Sequence, residues 1–264
     1  MLRDFAKPLH ALKLGALINL YFLADTTILA AGSANATLLL PAQILFAVSA
    51  YRCIFPVRYK DNIVLHDSFF SSIFLTRFLA TFAEIAFIFQ FASLLQRLNL
   101  SGIEWIDWLS WAMVAQVTVS QIFVWWAILS RQLVFYYYEE IGWFLIFVAN
   151  TFASGWLLVS GSLPQPAVGL LELNLLFGAF YLPWQVLHIR SLRKDAFDTL
   201  QPSASSPEQP PISLGQGFSE ALFQRQRRTD ATSWGGWIGL VWMVGYWATL
   251  IPLWAHHVAT AGLD

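Results

Sequence analysis

Residues 131–160 read RQLVFYYYEEIGWFLIFVANTFASGWLLVS. From Val134 to Val159 the run is mostly apolar and long enough for a helix to cross ~30 Å of hydrocarbon, which takes about 20 residues. It shows little period-two alternation, so it does not read as a barrel strand; a helix satisfies its own backbone hydrogen bonds and is the form lipid permits. The stretch therefore points to an all-α membrane protein. It also raises a question, because two adjacent carboxylates, Glu139 and Glu140, follow three tyrosines inside it.

The rest of the chain agrees with this reading. Hydrophobic residues make up 57% of the 264 and charged residues 12%, about half the charge of an ordinary soluble domain, so water is not the solvent for most of the surface. Thirteen tryptophans and 22 phenylalanines suit membrane interfaces and packed helix faces. Six more apolar runs lie at approximately Leu14 to Ala31, Leu38 to Ile54, Ser68 to Leu95, Trp108 to Leu129, Val168 to Leu187 and Trp234 to Ala255. The expected fold is a polytopic seven-transmembrane-helix bundle.

Lysine and arginine give an orientation. With the N-terminus inside, the inner segments hold Arg3, Lys7, Lys13, Arg52, Arg58, Lys60, Arg131, Arg190, Arg193, Lys194, Arg225, Arg227 and Arg228, and the outer segments hold Arg97 alone. This predicts N-in, C-out. A cleaved signal peptide ending near Ala36 is the rival reading of the first run; Asp25 and the length of that run favour a retained helix.

Three regions are expected. Residues 1–190 form a six-helix membrane bundle. Residues 191–233 form a cytoplasmic linker whose middle, QPSASSPEQPPISLGQG, has a flexible composition. Within it FSEALFQRQRR reads as a short basic amphipathic helix on the anionic leaflet, or as a solvated charge run. Residues 234–264 form the seventh helix and an outer tail.

Several function classes recede. A net charge of −1 offers no concentrated basic surface for nucleic acid. Cys53 is the one cysteine, which excludes an intrachain disulfide and a multi-cysteine metal centre. Glycine-rich phosphate loops, a GxSxG elbow and HExxH are absent, and the seventh span has no lysine for a retinal Schiff base. His66 and His188 both fall near the inner face without a metal-binding spacing, and His256 and His257 read as solvated near the outer terminus. No metal is expected, and no cofactor is specified.

Function is sought in the polar residues inside the spans, because an ionised group at mid-bilayer costs about 2.5 to 3.5 kcal/mol and so faces a partner. Counting residues at ~1.5 Å each brings Asp25 and Arg77 to one depth, which predicts an ion pair. Glu84, two turns beyond Arg77, falls level with Asn150, Glu172 and Asn174 and is expected to meet Asn150 or Glu172; alternatively Glu172 caps the start of span six. Glu139 shares a helical stripe with Trp143, Phe147 and Asn150, and Glu140 shares one with Phe144 and Thr151. Either both glutamates sit at headgroup level, or one is a functional acid beside a pocket walled by Trp125, Trp126 and Trp143. The Trp143–Asn150 stripe makes Glu139 the better of the two.

The run YEEIGWF, Tyr138 to Phe144, resembles the acidic pair followed by aromatics in membrane-bound lycopene cyclases of the bacterial and fungal type. The likeness covers fewer than ten residues. The proline usual before the pair is missing and no second copy occurs, so no residue roles follow from it.

The residues lead to three function classes. The first is a membrane-embedded enzyme acting on a lipid or isoprenoid by proton transfer from buried carboxylates. The second is a proton-coupled carrier using Asp25, Arg77 and Glu84 as a relay. The third is a non-catalytic subunit or assembly factor held together by its polar residues. Expected partners are the lipid bilayer, that of the cell membrane (the inner one in a Gram-negative cell), and an apolar small molecule.

Overall fold

The computed structural model describes residues 5–30, 36–160, 163–198 and 212–262. Long helices dominate: α1 (Ala6–Ala30), α2 (Ala36–Ile54), α3 (Ile73–Leu98), α4 (Glu104–Ser130), α5 (Leu133–Ser160) and α6 (Gln165–Asp198). The short helix α7 (Leu214–Phe223) follows, then α8 (Gly236–Met243) and α9 (Leu250–Thr260). Seven segments are long and apolar enough to cross a membrane, the seventh spanning Gly236–Thr260. Large apolar side chains point outward along them: Val159 is 92% exposed, Trp108 76% and Phe180 75%. Water does not tolerate that much exposed hydrocarbon, whereas lipid solvates it. The chain is a multi-pass membrane protein.

The helices form two compact units, residues 1–90 with 218–262, and residues 91–217. In the first unit α1 packs along α2, and α9 packs against both. Their approach depends on a small residue: a side chain on Gly15 of α1 would collide with Ala248, and Cys53 of α2 lies beside the same point. In the second unit α5 packs against α4 on one side and α6 on the other.

Three features depart from the sequence reading. Span seven is interrupted. Between α8 and α9 the residues Val244–Ala248 adopt a π-helical turn, in which the Thr249 N–H reaches back five residues to the Val244 carbonyl at 2.9 Å. A π turn carries one residue more than an α turn, and such insertions recur at functional sites. Hydropathy has no means of registering it.

The second departure is a small sheet. β1 (Val57–Arg58) and β2 (Ile63–Val64) pair antiparallel, and β3 (Gln226–Arg227) joins β2 in parallel. The turn between β1 and β2 uses Asp61 (φ 61°) and Asn62 (φ 51°) in the left-handed region, where Asp and Asn are the least strained residues after glycine. The helix expected through FSEALFQRQRR ends at Phe223, and its basic tail is this strand instead. Arg225 pairs with Asp67 at 3.1 Å, and Arg58 donates to the Ser233 carbonyl at 2.5 Å. His66, in the loop after β2, lies tilted against His10 with ring centres 5.6 Å apart; burial first, then Lys13, His10 and Arg227, hold its pKa below the usual 6.5.

Third, α6 continues to Asp198, so residues 191–198, expected in the linker, are helical. Most of the Pro- and Ser-rich stretch lies outside the described residues.

Candidate functional site

The acidic pair of α5 lies at one end of a seam between α5 and α6. On α6 the residues Asn174, Phe177, Tyr181, Gln185 and His188 recur every three or four positions and make one stripe. On α5 Glu139 or Glu140, Trp143, Phe147, Asn150 and Ser154 make another. Antiparallel packing matches the two stripes end to end. Gly178 sits against Thr151 with no room for a side chain between them, which is how two helices carrying so many aromatics come together.

At the acidic end, Glu139 is buried, 7% exposed, and its carbonyl accepts from the Ser120 hydroxyl at 3.4 Å. Glu140 is half-buried and turns toward α6. The Gln185 amide donates both to its carboxylate at 2.5 Å and to its carbonyl at 3.0 Å. His188 Nε2 lies 3.5 Å from the other carboxylate oxygen. The amide thus fixes the carboxylate, and the carboxylate faces an imidazole.

The middle of the seam is aromatic. Phe147 packs against Tyr181 at 4.5 Å, Phe177 at 5.1 Å and Phe91 at 5.7 Å, and stacks with Trp143 at 6.2 Å. At the far end Asn174 donates to Ser154 at 3.3 Å. Asn150 is 1% exposed, and neither its amide nitrogen nor its oxygen has a partner. Leaving a buried amide without hydrogen bonds costs about 1 to 3 kcal/mol, so such a group needs a reason to be there.

Of the three tryptophans expected as pocket walls, the structure brings one to the seam. Trp143 belongs to the seam; Trp126 is 45% exposed and packs on Phe135 at 6.0 Å, and Trp125 is only half-buried. Phe177, Tyr181 and Gln185 were the residues to find. Their spacing in span six, together with His188, was the available signal. Glu172 is exposed and stands eighth in α6, past the first turn, so it neither caps the helix nor faces the seam.

The first unit holds a separate set of ionisable groups. Arg77 and Glu84 of α3 join through two parallel bonds, 2.7 and 3.1 Å, with side chains 3% and 7% exposed. Asp25 pairs instead with His256 of α9 at 2.8 Å, and the imidazole stacks on Phe22 at 4.3 Å. The expected Asp25–Arg77 pair does not form. With α1 starting at Ala6 and α3 at Ile73, Asp25 is nineteen residues into its helix and Arg77 four into its own, a difference of ~22 Å of rise. His256 is accordingly no solvated terminal histidine.

Around the π turn, Asn19 of α1 is fully buried and donates to the Trp247 carbonyl at 2.9 Å and to the Gly15 carbonyl at 2.8 Å. Cys53 Sγ lies 3.5 Å from that same Trp247 carbonyl. Arg52 of α2 donates to the Tyr59 hydroxyl at 2.5 Å. Compared with protein-family models, with curated proteins and with solved structures, the chain has no match.

Proposed function

We propose that this chain is an enzyme of the cell membrane, oriented N-in and C-out, that acts on an apolar lipid or isoprenoid substrate by proton transfer at Glu140 and His188. The observation that carries the reading is the Glu140 carboxylate held between the Gln185 amide and the His188 imidazole. A carboxylate beside an imidazole supplies the paired groups that general acid–base work uses. The aromatic seam alongside suits an apolar substrate and stabilises cationic character developed on protonating an alkene. Asn150 supplies an uncommitted amide for a polar group on that substrate.

Spacing alone favoured Glu139. The present reading gives the acid role to Glu140, whose carboxylate lies 3.5 Å from the imidazole. In cells lacking the gene, the Glu140→Gln variant is expected to fold and fail to complement, while Glu139→Gln complements. Full complementation by Glu140→Gln would remove the proton-transfer site from the mechanism.

A second reading rests on a different observation. An interrupted seventh helix beside the Asp25–His256 pair is the kind of feature that serves proton-coupled carriers, whose sites gather at broken helices. Under that reading Asp25→Asn abolishes complementation and Glu140→Gln spares it.

A further inference from the structure

α1 begins at Ala6, and His10 and Lys13 stand ~6 and ~10 Å along it from that point. Both side chains are exposed. Beyond His10 the same face of the helix carries Leu14, Leu17 and Tyr21, at steps of four, three and four residues. These three are 65%, 64% and 65% exposed. A charged start therefore runs straight into an open apolar track, and a ligand lying along it needs no cavity.

Two other elements add to the charged end. The loop after β2 brings His66, whose ring lies 5.6 Å from that of His10 and meets Phe55 edge-on at 6.3 Å. β3 brings Arg227 opposite Val64, two residues before His66. Lys13, His10 and Arg227 all disfavour a proton on His66, so the field where these side chains meet is positive. Among the described residues no carboxylate forms an ion pair with any of the four, and the neighbouring Asp67 is taken by Arg225. Like charges gathered in this way repel, and an anion placed among them relieves the repulsion.

We infer that the charged end of α1 holds the phosphodiester of an anionic membrane lipid among Lys13, Arg227 and the two imidazoles, with an acyl chain along Leu14, Leu17 and Tyr21. Charge selects the headgroup: basic side chains at a membrane surface attract anionic lipid, and the long lysine stem lets its ammonium reach the headgroup layer from a deeper Cα. The apolar track decides between a lipid and a soluble phosphate, because only a lipid brings hydrocarbon attached to its anion. The site uses no residue of the α5–α6 seam and does not depend on the proton-transfer reading.

The test is native mass spectrometry of the full chain in detergent, titrated with phosphatidylglycerol, a phosphodiester with a net negative charge, and with phosphatidylcholine, whose phosphate charge is offset. Phosphatidylglycerol is expected to bind about tenfold more tightly. Lys13→Gln and Arg227→Gln should each cut that preference about fivefold; both side chains are exposed, so the fold should survive. Arg193→Gln removes the same charge from an exposed position on α6 and should leave the preference intact. The free headgroup, glycerophosphoglycerol, should not displace the lipid. Equal binding of the two lipids, a preference unchanged in Lys13→Gln and Arg227→Gln, or a loss as large in Arg193→Gln would overturn the proposal. Displacement by the free headgroup would overturn it too, since the ligand would then be a soluble anion.

Discussion

Arg77 and Glu84 show how far a residue-level reading carries. That both face a partner inside the membrane follows from the cost of a buried charge, and both have one. Which partner does not follow, because depth was measured from span ends misplaced by eight residues in α1 and five in α3. Removing one member of a buried pair typically costs about 3 to 5 kcal/mol, since the other charge is stranded. Arg77→Ala and Glu84→Ala are each expected to lower thermal stability in detergent, and the double variant to recover part of the loss; strictly additive losses would show that the two act separately. Asn150 should behave in the opposite way. Its amide has no partner, so Asn150→Leu should raise stability by about 1 to 3 kcal/mol while reducing activity. A loss of stability would mean that the amide is structural.

Among the elements, six spans were legible from hydropathy and length because each is one uninterrupted apolar helix. The seventh was legible only as an apolar run. Its π turn is set by what packs on it, the Gly15 contact and the Asn19 amide of α1, and neither leaves a mark on the sequence of span seven itself. The strands were equally hidden, being two residues each and held by tertiary pairing. In α5 the stripe from Glu139 through Trp143 to Asn150 is buried as spacing predicts. The matching face of α6 is harder to read from hydropathy, because its stripe alternates aromatic Phe177 and Tyr181 with polar Asn174, Gln185 and His188. The seam's closeness is testable at Gly178, which meets Thr151 directly. Gly178→Leu should force α5 and α6 apart at a cost of about 1 to 3 kcal/mol, read as a lower melting temperature; an unchanged melting temperature would argue that the helices are not in contact there.

For the whole molecule, the proposed N-in, C-out orientation rests on the sequence count of thirteen basic residues in the segments assigned inside against one in those assigned outside. Cys53 is a poor reporter of it, being 1% exposed. Ser101, in the α3–α4 connection, and Gln132, between α4 and α5, are both exposed. A membrane-impermeant maleimide should label Ser101→Cys in intact cells and reach Gln132→Cys only after the cells are opened. The reverse pattern would invert the orientation.

The proposed activity is action on an apolar molecule at the α5–α6 seam through Glu140. Mass spectrometry of the apolar molecules that co-purify with the full chain tests it most directly, wild type against Glu140→Gln. One apolar compound is expected to be enriched on Glu140→Gln, the substrate held without turnover, and depleted or replaced by its product on the wild type. The same compounds on both proteins, in the proportions of the surrounding bilayer, would contradict it.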